Sequence, residues 1–306
     1  MSNVVVTSGA KYLDIDGYAS CIAYAILLRA NGVSAKAVTT APLNESVPEF
    51  IKNIDLAFDD YVPVEGDKFV LLDVSDPSMF DGFVRMSDVV EVIDHHVGFE
   101  EFWEEKKSRG EVDKVDIEFI GAICTNIYEK FFVSGKTGLL TEGLCKLLVA
   151  GILNNTLNLK ASVTTERDVA AYKALCNLAK LSADWAKEYF DACEEEILRD
   201  LKSAIINDTK ITKAVKDLPD AFGQLAVYDK NKILSQIDLT REAFAGHDTW
   251  MMNIISLKDG RSYIFAEPEE ARKSLEDLFE LKFENSLLVL DEFLLRKEII
   301  KKALKK

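Results

Sequence analysis

Over the first hundred residues, short apolar runs alternate with longer stretches in which apolar side chains recur at helical spacing. Residues 4–6 (VVV) form the first run, and residues 18–31 (YASCIAYAILLRAN) read as a helix that stops at Gly32. Residues 35–40 read as the next strand, and a short helix over 46–53 opens near Ser46 and Pro48. Residues 69–72 and 89–93 are strands of the fully buried type, followed directly by Asp73 and Asp94. Strands separated in this way by helices predict a parallel sheet with helices on both faces. In such a sheet the ligand site lies beyond the carboxyl ends of the strands.

Further along, residues 117–132 and 140–153 read as helices, the second running into Asn154-Asn155, and a third helix over 165–180 is capped within TTERD. Residues 182–205 are helical and acidic, and the domain boundary falls inside them, near 190–200. The remainder reads as strands over 224–228, 250–257 and 262–266, with Asp259-Gly260 as a hairpin turn, a helix over 268–278, and an apolar run at 287–290. A basic helix follows Phe293-Leu294-Leu295-Arg296-Lys297. The expected fold class is α/β: an N-terminal parallel-sheet domain over 1–190 and a smaller C-terminal α+β domain over 196–306.

Composition narrows the function. The 306 residues carry 52 acidic against 37 basic side chains, a formal charge of −15, which argues against a protein that coats duplex nucleic acid. The five cysteines, at 21, 124, 145, 176 and 193, form no CxxC pair and read as buried free thiols of a reducing compartment. No signal-peptide pattern and no apolar run of about 18 residues is present, so no membrane association is expected and the cytoplasm is the default location.

The candidate chemistry collects at the strand ends. Histidine occurs only at 95, 96 and 247, and two of the three stand together in Ile93-Asp94-His95-His96. Asp14-Ile15-Asp16 follows the first strand, and Asp73 closes the third. Taken singly, each acid could be a helix cap or a loop residue, and His247 reads as a surface loop histidine. Arg296 and Lys297 could be a solvated basic helix terminus favoured by the macrodipole. Together, carboxylates and imidazole on one sheet edge suit Mn²⁺, Mg²⁺ or Co²⁺ better than a thiolate zinc site. A bridging carboxylate could hold two ions about 3.5–4 Å apart for phosphoryl hydrolysis.

The DIDGYAS turn, the LLD strand end and the DHH tripeptide, in this order and spacing, resemble the DHH phosphoesterase superfamily. That superfamily includes family II inorganic pyrophosphatases, exopolyphosphatases, prune proteins and oligonucleotide phosphodiesterases. Residues 151–159 (GILNNTLNL) resemble the fourth motif in its exopolyphosphatase and prune form. The second half is similar to the second type of DHH-associated domain. Its arginine-lysine run is matched by Leu295-Arg296-Lys297-Glu298 and its other lysine segment by Asp200-Leu201-Lys202.

The resemblance implies a metal-dependent hydrolase of short-chain polyphosphate or pyrophosphate, working by attack of metal-bound hydroxide on phosphorus. It implies two ions, Mn²⁺ or alternatively Mg²⁺ or Co²⁺, and a phosphate-rich small-molecule substrate. Asp14 and Asp73 would hold one ion. Asp16, Asp73, His95 and Asn155 would hold the other, with Asp73 as the bridge. Asp94 would orient His95, and His96 would donate to a phosphate oxygen or move a proton. Lys202, Arg296 and Lys297 would bind phosphate from a second domain that closes on the first. Edge-strand pairing into a homodimer is compatible with the family.

Four departures stand out. Ala10 replaces the histidine that pyrophosphatases carry four residues before the first aspartate, Asn155 replaces the fourth-motif aspartate, and Gly17 and Leu295 replace serines. The first change tilts the reading toward the exopolyphosphatase and prune branch. The first two also favour, as alternatives, a weakened member that binds phosphate ligands without turnover, or a different substrate. A phosphodiesterase of short oligonucleotides or linear dinucleotides is the other alternative, although the glycine-rich motif of those relatives is missing.

Overall fold

The apolar runs of the first half become neighbouring strands of one sheet. In the computed structural model, which describes residues 3–305, these are β1 (Val4–Thr7), β2 (Ala35–Ala37), β3 (Lys68–Leu72), β4 (Val89–Asp94) and β5 (Lys114–Ile117). They pair in the order β2-β1-β3-β4-β5, every pairing parallel. The chain leaves β1 toward β2 on one side and returns to β3 on the other. The loops after β1 and β3 therefore diverge and open a crevice at the carboxyl edge, the usual ligand position in a sheet of this order.

Seven helices accompany this sheet in the chain: α1 (Ile15–Ala30), α2 (Glu49–Lys52), α3 (Glu100–Ser108), α4 (Ile123–Val133), α5 (Glu142–Asn155), α6 (Glu166–Ala179) and α7 (Trp185–Arg199). Phe69 and Leu71 of β3 share a buried cluster with Val5, Val92, Trp103 and Val112. Each such side chain contributes roughly 1.5–3 kcal/mol by leaving water. α1 is buried on nearly all sides because α4 and α5 pack against it. That packing depends on Gly151: a Cβ there would lie 2.4 Å from Cys124 Sγ and 3.1 Å from Asp16 Oδ1.

Local chemistry moved several boundaries. The first helix begins at Ile15 rather than 18, because Asp14 caps it by accepting from the Gly17 N–H at 3.0 Å. The helix expected over 117–132 splits into β5 and α4; the charged, half-exposed edge strand Lys114–Ile117 lacks the apolar run by which buried strands are recognised. The segment 46–53 contracts to α2, since Ser46 turns its hydroxyl to the Ile15 N–H instead. The segment 182–205 breaks at Asp200, which leaves helical geometry (φ −144°, ψ 71°) and caps α8 (Leu201–Asn207) through the Ser203 N–H.

The second sheet contains β6 (Lys210–Ile211), β7 (Ala221–Val227), β8 (Trp250–Ser256), β9 (Arg261–Phe265) and β10 (Leu287–Leu290) in the order β10-β9-β8-β7-β6. Only the β7–β8 pairing is parallel. Helices α9 (Asn231–Leu234) and α10 (Ile237–Ala243) make that crossover, and α11 (Glu269–Phe279) and α12 (Arg296–Leu304) follow. Every residue of β8 is buried. Trp250, Met252 and Ile254 join a cluster with Leu201 and Ile205 of α8, while Met251 packs with Leu275 of α11 and Ile299 of α12. This sheet is covered on both faces. The chain divides into two units: the first takes residues up to Leu159 with Val163–Tyr189, the second Lys160–Ser162 and everything from Phe190.

Candidate metal centre

Asp73 leaves β3 in the left-handed conformation (φ 59°), a state that costs a non-glycine residue roughly 1–2 kcal/mol. Its N–H still donates to the Ile93 carbonyl at 2.9 Å, so the turn stays fastened to β4. The turn carries the carboxylate over the end of β4. There Asp73 Oδ1 lies 3.2 Å from His95 Nε2 and 3.8 Å from His96 Nδ1. The three residues can offer one donor atom each within 4.8 Å of one another.

The hydrogen bonds show what this arrangement needs. His95 Nδ1 stands 2.9 Å from the Ile120 carbonyl oxygen, which can only accept. Nδ1 is therefore the nitrogen that donates to Ile120, and Nε2 is the ring nitrogen that faces Asp73. Asp73 Oδ1 is itself buried and accepts no hydrogen bond among the described residues. A buried carboxylate oxygen this close to a ring nitrogen needs a proton or a metal cation between them, and a backbone carbonyl that fixes the imidazole is the usual support of a metal-ligating histidine. Burial holds the Asp73 carboxyl well above the usual carboxylate range, and the neighbouring charges of Asp14 and Asp16 push in the same direction. Burial and then Asp16 raise Asp14 as well. Carboxylates crowded in this way suit a divalent ion, which Asp73, His95 and His96 are close enough together to ligate, with Asp14 beside them.

Asp94 has a different task from the one expected. It is fully buried, and its Oδ1 accepts from the His95 N–H at 2.8 Å, the His96 N–H at 3.2 Å and His96 Nδ1 at 2.8 Å. It orients the ring of His96, whereas the ring of His95 is set by Ile120. His96 remains 61% exposed at its side chain, with Nε2 free of the Asp94 contact. Partial burial lowers its pKa, but the Asp94 hydrogen bond and the Asp73 charge outweigh this and raise it.

Asp16 and Asn155 come together, but not as an open ligand pair. Asp16 is fully buried. Its Oδ2 accepts from the Ile123 N–H at 2.7 Å and from Asn155 Nδ2 at 2.6 Å, and its Oδ1 accepts from the Cys124 N–H at 2.8 Å. An anion thus sits at the amino end of α4, where the helix macrodipole favours it. Asn155 closes α5, and Leu157, Asn158 and Leu159 follow it in left-handed conformation (φ 47°, 59° and 61°), with Thr156 Oγ1 accepting from the Leu159 N–H. A Cβ on Gly17 would lie 2.8 Å from Leu13 Cδ1 and 3.1 Å from Ser8 Oγ, so those side chains would have to shift to admit one.

In the second unit the three expected cations differ. Arg296 is buried and spends its guanidinium internally, on the Asp208 carboxylate at 2.6 Å, the Asp208 carbonyl and the Phe222 carbonyl. Lys202 pairs with Glu242 at 3.1 Å on the surface. Lys297 is exposed in the first turn of α12. The macrodipole disfavours a cation there, so a solvated terminus of the favourable kind describes Lys301 and Lys302 in the last turn instead.

Several contributors were invisible in the sequence because they are backbone groups or distant supports. They include the Ile120 carbonyl and the N–H groups of Ile123 and Cys124. Trp103 is fully buried, and its Nε1 donates to the Ser75 carbonyl at 2.7 Å. Asp168 accepts from the Gly121 N–H, Thr125 Oγ1, and both the N–H and Oγ1 of Thr165, tying the loop that carries Ile120 to the start of α6. The only signal was the TTERD cap itself.

A five-stranded parallel sheet with acidic loops at its carboxyl edge, followed by a second mixed-sheet unit, is the fold of the family II inorganic pyrophosphatases. The chain superposes over its whole length on a Methanococcus jannaschii protein assigned to that family (TM-score 0.67, 20% identity, 100% of both chains). It also superposes on an exopolyphosphatase-related protein from Bacteroides fragilis (TM-score 0.53, 12% identity, 99% of this chain and 92% of that one). In sequence, it is similar to proteins assigned as probable manganese-dependent inorganic pyrophosphatases. One from Lactobacillus gasseri is 23% identical across 95% of this chain and 94% of its own length. One from Bacillus cereus is 26% identical across 59% and 57%. No protein-family model matches the chain. Among the described residues no helix is long and apolar enough to cross a membrane.

Proposed function

We propose that this chain is a divalent-metal-dependent hydrolase of phosphoanhydride bonds, acting on pyrophosphate or short-chain polyphosphate. The observation that carries the reading is the buried Asp73 Oδ1, without a hydrogen-bond partner among the described residues, facing His95 Nε2 at the carboxyl edge of the sheet. The similarity to manganese-dependent pyrophosphatases over 95% of the chain supports the substrate class and favours Mn²⁺, with Mg²⁺ or Co²⁺ as substitutes. When bound, such an ion supplies Lewis acidity to a phosphoryl oxygen and lowers the pKa of water.

The residues divide the remaining work. Asp73 and His95 hold the ion, with Asp14 as the adjacent carboxylate. Asp94 holds the Nδ1–H of His96, which leaves Nε2 to donate to a phosphate oxygen and stabilise charge developing on it. Lys297 and Lys202 are the proposed phosphate-binding cations; Arg296, with its guanidinium engaged at Asp208 and Phe222, positions the first turn of α12 that carries Lys297.

The test is phosphate release by metal-stripped protein given Mn²⁺, Mg²⁺ or Co²⁺, with pyrophosphate, tripolyphosphate, long polyphosphate, a dinucleotide and bis-p-nitrophenyl phosphate as substrates. Release from the inorganic anhydrides, lost in Asp73→Ala, is the expected result. Cleavage of the diesters alone, or no turnover by protein shown to hold metal, would refute the proposal.

A further inference from the structure

We infer that this centre holds one divalent ion rather than two: Asn155 and the start of α4 close Asp16 to ligation, so that Asp14, Asp73 and His95, which the family resemblance divides between two ions, are left to share one. The inference rests on the metal-dependent reading above and concerns how many ions that site takes. Asp16 Oδ2 receives two donors, the Ile123 N–H at 2.7 Å and Asn155 Nδ2 at 2.6 Å, which occupy both of its in-plane lone pairs. Asp16 Oδ1 receives the Cys124 N–H at 2.8 Å. Its other flank is covered by α5, where a Cβ on Gly151 would come within 3.1 Å of it. The residue has no exposed surface. A second ion would have to displace short hydrogen bonds to a charged acceptor and uncap α4 at the same time.

Asn155 is the pivot. Its amide offers Asp16 a proton donor where an aspartate would offer a second negative charge. Two carboxylates 2.6 Å apart must share a proton or hold a cation, whereas a carboxylate and an amide satisfy each other without either. The first position has no such closure: Asp73 Oδ1 is buried and unpartnered, and His95 Nε2 points at it. At residue 10 the methyl side chain of alanine supplies no further donor.

The deciding measurement is manganese content per chain in the wild-type protein after loading with Mn²⁺ and gel filtration. Electron paramagnetic resonance of the same sample distinguishes an isolated ion from an exchange-coupled pair. We expect one ion per chain with an isolated-ion spectrum, none in Asp73→Ala, and a second, coupled ion in Asn155→Asp. Wild-type protein with two coupled ions overturns the inference and leaves the hydrolase reading standing. Wild-type protein with no ion overturns both. An Asn155→Asp variant that folds and still holds one ion refutes the role given to Asn155.

Discussion

Replacing Gly151 with alanine probes the packing that holds the acidic centre together. At an open position in the middle of a helix the change would stabilise the protein by about 1 kcal/mol, the difference in helix propensity. Gly151 is not open: the added Cβ would lie 2.4 Å from Cys124 Sγ and 3.1 Å from Asp16 Oδ1, both on fully buried residues. Cys124 cannot retreat without dragging its N–H from Asp16, so the overpacking cost belongs near the upper end of the usual range, about 3 kcal/mol. The expected net effect is a loss of about 2 kcal/mol. Urea unfolding of metal-free wild type, Gly151→Ala, Cys124→Ala and the double variant measures it. Removing the sulfur leaves the Cys124 Cβ, 3.2 Å from the new methyl, a contact that small shifts can absorb. The double variant should therefore recover about 1 kcal/mol relative to additivity. A Gly151→Ala protein more stable than wild type would refute this account of how α1, α4 and α5 converge.

Three other predictions follow from single contacts. Trp103→Phe deletes the donor to the Ser75 carbonyl, two residues beyond Asp73; it should cost about 1–2 kcal/mol and weaken Mn²⁺ binding, and unchanged unfolding and metal affinity would refute it. Asp168→Asn presents an amide donor where the Gly121 N–H, Thr125 Oγ1 and Thr165 already donate; a loss of about 3 kcal/mol is expected, and a loss within experimental error would show that the network is dispensable. For His96, burial lowers the pKa but Asp94 and Asp73 raise it above 6.5 overall. The stabilisation it provides is therefore complete below its unfolded value and disappears as pH rises through the folded one. In metal-free protein, NMR should show His96 titrating above 6.5, with a lower midpoint in Asp94→Asn; a wild-type midpoint at or below 6.5 would contradict the geometry.

Much of this arrangement is legible in the chain. Largely apolar runs at 4–6, 69–72 and 89–93 determine parallel strands, because a strand covered on both faces is apolar at nearly every position; the exception, buried Glu91 of β4, accepts from the Tyr24 hydroxyl. An aspartate placed directly after such a run necessarily stands at the sheet's carboxyl edge, and this holds for Asp73. The adjacent histidines inherit their position from β4. Less legible was β5, whose charged edge position removes the hydrophobic signature, and the break at Asp200, which follows from one side-chain hydrogen bond.

Only the tertiary structure decided what each acid does. Asp16 meets the N–H of Cys124, 108 positions away, and the amide of Asn155, 139 positions away. Asp94 turned out to serve His96 rather than the ring of His95, and Arg296 to serve Asp208 and Phe222. Periodicity assigns residues to elements because it reflects which face of each element is buried. Hydrogen-bond partners across a core depend instead on how closely helices approach, and here on a glycine at 151 that lets three of them meet beside one carboxylate. The sequence thus determines that acids and imidazoles gather at one edge, and packing determines which of them remain free to take a metal.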